Sequence, residues 1–370
     1  MVFDNGSIAI IAANTNSEMT FPDENTRVKH VNTDALQAAM DERAQYQVAK
    51  AESDEELKDE HEAIKLSSCV DFSDVQEDEL YYIGTSGIKV TDLDGLENLP
   101  NLLKLHVRSN LLRSMGSVAL LRQLQHLELY DNQIQTLEGV QSLVTLKVLD
   151  LSFNEIRIIP DLSHLTILEE LYVANNKLKK ITGLENLKRL KKLDLGANRL
   201  RVMENLDGLI DLQELWLGKN KITIIQGLET LTELKIISVQ SNRVVQMTGF
   251  AQNSALEELY LSHNGIEKIE NIEHLFNLKT MDLGGNRIAN IPIIMAPLTE
   301  LEDLWLNNNQ IAEFTDIEHL RPLKGLRTLY LEHNPVAQDF EYRKKIEELL
   351  PVLDQIDATQ TTKARRRLIN

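Results

Sequence analysis

Asp150, Tyr172, Asp194 and Trp216 follow one another at intervals of 22 residues. The series continues in both directions, with His106 and Glu128 before it and Ser238, Tyr260, Asp282, Trp305 and Tyr330 after it. Both tryptophans of the 370-residue chain fall among these eleven positions. Five of the eleven are aromatic, in a sequence that is 5% aromatic overall, and four more are acidic. Tryptophan and tyrosine are enriched where proteins grip one another, because each offers a large, rigid apolar face with a polar tip. Carboxylates set between them suit a partner surface that carries Lys or Arg around shallow pockets. Two places earlier stand Lys104, Glu170, Glu214, Glu258 and Asp303, and two places later Tyr130 and Glu332, which makes the set acidic with apolar anchors. Ser238 and Gln240 interrupt it, so the reading divides it into two patches, Asp150 to Trp216 and Tyr260 to Tyr330. The chemistry expected is protein recognition, carried by Glu128, Asp150, Tyr172, Asp194, Trp216, Tyr260, Asp282, Asp303, Trp305 and Tyr330.

Catalytic chemistry has less support. Cys69, the single cysteine, sits among carboxylates, which raise a thiol pKa and weaken it as a nucleophile. The sequence has no His- or Cys-rich metal spacing and no glycine-rich phosphate loop ahead of a helix. His263 and His333 recur at one fixed place, with no nucleophile and carboxylate arranged around them, and Gly218 and Gly284-Gly285 fall at turns. The expectation is therefore a non-enzyme without catalytic, metal or cofactor-binding residues. A net charge of −18 argues against nucleic acid, which demands clustered cations. One cysteine forms no internal disulfide and fits a reducing compartment. The apolar run Ile8–Ala13 is too short to span a membrane and lacks a basic flank, so the chain reads as soluble and intracellular.

The recognition series needs a scaffold of the same period, and one is present. Leu124-x-x-Leu127-x-Leu129-x-x-Asn132-x-Ile134 repeats 22 residues later as Leu146-x-x-Leu149-x-Leu151-x-x-Asn154-x-Ile156. The asparagine recurs from Asn110 to Asn286 every 22 residues, then at Asn309 and Asn334. A weaker first unit places Ile83 and Ile88 in the apolar positions and Ser86 where asparagine belongs. Twelve such units are the leucine-rich-repeat signature. Leu127 and Leu129 alternate with strand period, while Ile134, Leu137, Val140, Leu143 and Leu146 are three apart, the spacing of 3₁₀ turns. The fold class expected is an α/β leucine-rich-repeat solenoid, or horseshoe. Short parallel strands form its concave face, 3₁₀ or coil limbs its convex face, and a helix caps its C-terminal end. The asparagine satisfies backbone groups at the turn. Asn253 replaces a core leucine and weakens its unit, and three extra residues before Asn334 add one further turn of the same period.

Three regions follow. Residues 1–77 hold most of the charge, residues 1–78 carrying 18 Asp/Glu against 6 Lys/Arg, and read as an acidic, largely disordered tail. Within the tail Asp34–Ala51 has transient-helix composition, and Ser53 before Asp54-Glu55-Glu56 resembles an acid-directed kinase site but reads more simply as solvated tail. Residues 78–336 are the solenoid. Residues 337–370 are the cap and a solvated basic tail around Lys363–Arg367, with Asp339–Leu350 as an amphipathic helix stopped by Pro351. Phe340, Ile346, Leu349 and Leu350 are expected to cover the last coil.

The 22-residue unit, the twelve-unit count and the closing Asn334-Pro335-Val336, Tyr342-Arg343 and Leu350-Pro351-x-Leu353-Asp354 resemble the leucine-rich-repeat regulatory subunits of protein phosphatase 1 (the regulatory subunit 7 family) over about residues 75–357. The resemblance implies that the concave face grips the phosphatase catalytic subunit and controls its activity, maturation or localisation in nucleus and cytoplasm. It also implies assembly with a further inhibitor subunit into a ternary complex. The residues implied are Asp150, Tyr172, Asp194, Trp216, Asp282, Asp303, Trp305 and Tyr330. Many regulators of this phosphatase use a basic-Val-x-Phe motif instead. Val70-Asp71-Phe72 is the nearest match, but Ser68 and Cys69 replace the basic residue, so it reads as non-functional. Axonemal and nuclear-export proteins share the repeat, which leaves a scaffold or adaptor for a cytoskeletal partner as the competing reading.

Overall fold

The computed structural model describes residues 63–73, 75 and 78–369. Asp34–Ala51 and Ser53 lie outside the described residues. Each repeat contributes one short strand: β1 (Glu79–Ile83), β2 (Lys104–Arg108), β3 (His126–Glu128), β4 (Val148–Asp150), β5 (Glu170–Tyr172), β6 (Lys192–Asp194), β7 (Glu214–Trp216), β8 (Ile236–Ser238), β9 (Glu258–Tyr260), β10 (Thr280–Asp282), β11 (Asp303–Trp305) and β12 (Thr328–Tyr330). These twelve pair in sequence order, all parallel. Because the register shifts by one whole repeat, equivalent residues face each other: Leu127 pairs with Leu149 and Leu149 with Leu171, all fully buried. The same register aligns Glu128, Asp150, Tyr172, Asp194 and Trp216 side by side on the opposite side of the strands.

The return limbs are coil or single 3₁₀ turns, such as Leu96–Asn98, Val140–Ser142 and Ile293–Met295. The 25-residue unit inserts a one-turn helix, α1 (Phe314–Ile317), followed by the 3₁₀ turn Glu318–Leu320, and Ile317 and Leu320 stay buried as the period-three spacing requires. Leucines of both limbs form one continuous core along the array.

A ladder of asparagines closes every coil. The Asn176 Nδ2 donates to the carbonyls of Leu151, Val173 and Ala174 at 3.0, 3.2 and 3.1 Å, while its Oδ1 accepts the N–H of Ile156 in the preceding coil at 2.9 Å. The preceding residue is left-handed in unit after unit, even where it is Ala197 (φ 50) or Lys219 (φ 53). That conformation costs about 1–2 kcal/mol for a residue with a Cβ. The buried asparagine bonds, each worth about 1 kcal/mol net, offset it. Asn253 is fully buried rather than merely missing from the core, and donates to Leu228 and Leu231 carbonyls at 3.0 and 2.8 Å. Its Oδ1 has no partner among the described residues, so the unit does carry a polar penalty.

The ends differ from the sequence reading in five places. In the first unit Val90, not Ile88, takes the core position, since its N–H reaches Asn110 Oδ1 at 2.9 Å as that of Leu112 reaches Asn132; Ile88 is 39% exposed. Residues 64–73, assigned above to the tail, are packed on the first coil: Leu66 and Val70 are buried, and Phe72 lies over Gly95, whose φ of 83 and missing Cβ make room for the ring. They cover a core that an open solenoid end would expose. At the other end the helix is shorter than expected, α2 (Tyr342–Leu349), after a 3₁₀ turn at Pro335–Gln338. Ile346, Leu350 and Leu353 seal the last coil, whereas Phe340 is 96% exposed. The basic tail is ordered: β13 (Gln355–Ile356) joins the sheet, β14 (Thr359–Gln360) turns back antiparallel, and α3 (Thr362–Ile369) follows, with Arg367 paired to Asp354 at 3.2 Å.

Candidate protein-binding face

Strand pleating and in-register pairing place the eleven-residue series on the concave face, as expected, but the aromatics there are not freely exposed. Tyr260, Trp305 and Tyr330 are buried to within 9% and form their own cluster with Trp216 and Ile236. Ring centroids lie 6.1 Å apart for Trp216–Tyr260, 6.3 Å for Tyr260–Trp305 and 6.4 Å for the edge-on Trp305–Tyr330. Each of the first two pairs spans an intervening strand. The small Ser238 and the flat Asp282 let rings two coils apart meet over them on the inside of the curve. The division into two patches therefore does not hold: Trp216 reaches across Ser238 and the aromatic run is continuous to Tyr330. Its far end is fixed by Gln355 on β13, which donates to the Tyr330 hydroxyl at 2.9 Å.

The carboxylates have structural work as well. Asp150, Asp194 and Asp282 each accept the N–H two residues on, from Ser152, Gly196 and Gly284, at 2.8, 2.8 and 3.0 Å. One oxygen of each thus holds the strand exit. Glu170 and Glu258 accept the hydroxyls of Tyr172 and Tyr260 at 2.6 and 2.7 Å, and Glu214 accepts the Trp216 indole N–H at 3.4 Å. Burial, then the adjoining carboxylate, pushes both tyrosine hydroxyls up beyond their ordinary range. Burial pushes Asp150 from 3.8 up to about 6, with Glu128 and Asp194 adding repulsion and the bonds from Ser152 opposing it. Asp303 is half-buried beside them. Trp305 Nε1 is buried without a hydrogen-bond partner among the described residues.

Trp216 and Asp194 keep partial exposure and border a dent on the face. Its floor is made of Ala174, Gly196, Ala197 and Gly218, and its far wall of Ser238 and Gln240. The small residues come from the turn positions just before each asparagine, a feature visible in the sequence only as glycine and alanine at those places.

Glu128 stands apart from the rest of the series. It is 6% exposed, and its carboxylate is held by Arg108 and by His106 Nδ1 at 2.8 Å. The second His106 nitrogen faces Glu79 at 3.0 Å, and the His106 ring touches Tyr81 and His126. His106, His126 and Glu128 are close enough to suggest a metal cage. Arg108 is ion-paired to Glu128 and both His106 nitrogens face carboxylates, so the Glu128 carboxylate and the His106 ring are already engaged by neighbouring side chains.

No helix among the described residues is long and apolar enough to cross a membrane. Family models described as leucine-rich repeat match residues 245–368, and as leucine-rich repeats (2 copies) residues 122–164 and 168–211. Protein phosphatase 1 regulatory subunit 7 of Danio rerio is 58% identical over 36 residues, which is 10% of this chain and 10% of that protein. Among solved structures, a leucine-rich-repeat protein of Leptospira interrogans is 27% identical over 72% of this chain and 76% of its own, with a TM-score of 0.61. An internalin of Listeria monocytogenes is 26% identical over 76% of this chain and 87% of its own, with a TM-score of 0.59. The fold is thus a leucine-rich-repeat horseshoe, a scaffold suited to binding other proteins.

Proposed function

We propose that this leucine-rich-repeat solenoid is a non-enzymatic regulatory subunit of protein phosphatase 1, holding the catalytic subunit on its concave face and controlling its activity, maturation or localisation in nucleus and cytoplasm. The observation that carries the reading is the continuous aromatic run from Trp216 to Tyr330, bordered by carboxylates at Asp150, Asp194, Glu214, Glu258 and Asp303. Packed rings lose little side-chain freedom on binding, so they act as a preorganised apolar floor. Trp216 and the dent beside it are where a partner side chain inserts, and the carboxylates meet basic groups at the rim of the contact.

The short match to regulatory subunit 7 supports the identity of the partner. Val70 is buried and Phe72 packs half-buried against the first coil, so a Val-x-Phe motif at this place is not free to dock, and in this reading the solenoid face carries recognition instead. A further inhibitor subunit would join through surfaces outside this contact. The test is affinity capture with the full chain from a cell lysate, followed by mass spectrometry. Recovery of the phosphatase catalytic subunit, lost with Trp216→Ala, supports the proposal. Recovery of a cytoskeletal or axonemal partner without phosphatase overturns it in favour of an adaptor.

A further inference from the structure

Outside the concave face, one rim of the solenoid carries a row of cations. Lys177, Arg199, Lys221 and Arg243 follow the asparagine in four successive coils. Their N–H groups donate to the carbonyls of Ile156, Leu178, Leu200 and Ile222, each at 2.8 Å, which stacks the four in register. Arg157, Lys179 and Arg201 form a second row two residues further on. All but Lys177 are exposed; Lys177 pairs with Glu155 at 3.0 Å. Among the described residues Arg199, Arg201, Lys221 and Arg243 make no ion pair. Coils about 5 Å apart hold these like charges well inside a Debye length of one another, a repulsion that an anionic strand laid along the rim would relieve.

The same chain supplies such a strand. Glu52–Glu62 holds seven acidic residues and one lysine. The first described residue, Ala63, immediately follows it, and the chain then arrives on this same rim. Thr91 N–H donates to the Ile64 carbonyl at 2.8 Å and Leu66 N–H to that of Asp92 at 3.1 Å. Thr91 follows Val90, the equivalent of Leu112, so in the first coil it holds the place that Arg157, Lys179 and Arg201 hold further along. At about 5 Å per coil, Lys177 is about 20 Å away and Arg243 about 35 Å. Eleven extended residues span about 36 Å.

We propose that the acidic segment Glu52–Glu62 docks along this rim in cis, its carboxylates against the two cation rows. The test is zero-length carbodiimide cross-linking of the full chain, using an equal mixture of isotope-labelled and unlabelled protein. The expected result is linkage of the segment to Lys177, Lys179, Lys180 and Lys221 within single chains. Those linkages should fall at least about fivefold in about 1 M salt, where the Debye length is near 3 Å, and equally in an Arg199→Glu, Arg201→Glu, Arg243→Glu variant that keeps every lysine. Linkages of the segment to Lys65 and Lys89, close to its end, should survive in that variant. Linkage mainly between labelled and unlabelled chains, or linkage to all exposed lysines alike and indifferent to salt and to the variant, overturns the proposal.

Discussion

Asp150→Asn removes one charge and keeps the shape, and an amide oxygen can still accept the Ser152 N–H that the carboxylate accepts at 2.8 Å. The carboxyl is pushed from 3.8 up to about 6 in the folded chain. A rise of about two units corresponds to about 3 kcal/mol of ionisation energy set against folding at neutral pH. The side chain keeps some contact with water, so about 1–2 kcal/mol is the better figure. The folded state holds this proton more tightly than the unfolded chain does. The stability it contributes is therefore full below about pH 3.8, declines as pH rises toward 6, and is gone above. The variant should accordingly be more stable than the parent by about 1–2 kcal/mol at about pH 7.5, with the gap closing toward about pH 4. Urea unfolding followed by tryptophan fluorescence across that range measures it. A gap that does not change with pH, or a variant less stable than the parent at neutral pH, refutes the reasoning. A partner Lys or Arg beside Asp150 would restore its ionisation, so association should release a proton and tighten as pH rises through about 6. The same substitution should then stabilise the free chain while weakening the complex.

Trp305→Ala should cost about 3 kcal/mol of stability, since the indole is 6% exposed and packs on both Tyr260 and Tyr330, while half-buried Trp216→Ala should cost about 1 kcal/mol; denaturant midpoints separate the two. Asn220→Ala strands the Leu200 N–H and the Leu195 and Leu217 carbonyls that the side chain now bonds at 3.0 Å each, an expected loss of about 2–3 kcal/mol. Hydrogen exchange should show protection falling in that coil and its neighbours before the ends of the array respond. Phe72→Ala uncovers Gly95 and the first coil, with an expected loss of about 2 kcal/mol and faster amide exchange confined to β1 and β2.

The repeat was legible because every coil states the same instruction. Alternating leucines such as Leu127 and Leu129 set the strand, the three-residue spacing after Asn132 sets the limb, and Asn132 itself joins them. The concave column was legible for the same reason, since in-register pairing makes sequence spacing equal to spatial adjacency. What adjacency alone does not convey is curvature. Pairing places Ser238 between Trp216 and Tyr260, yet on the inside of the horseshoe the two rings meet above it. The structural role of Asp150, Asp194 and Asp282 was hidden because a carboxylate that accepts the N–H two residues on looks the same in sequence as one aimed at a partner. The ends were least legible. Leu66, Val70 and Phe72 show no repeat period because they cover the array instead of extending it, and acidic neighbours masked them. Phe340 sits on the connection ahead of α2, where hydrophobicity alone gave no direction.

The central claim is that the concave aromatic–acidic face binds the phosphatase catalytic subunit. It is tested most directly by the Kd of that subunit for the full chain and for a Trp216→Ala, Asp303→Asn variant matched in thermal midpoint. A half-buried aromatic anchor and one carboxylate at its margin should together carry more than about 2 kcal/mol, so the account predicts a loss of affinity of at least about 30-fold. An unchanged Kd in the folded variant contradicts it.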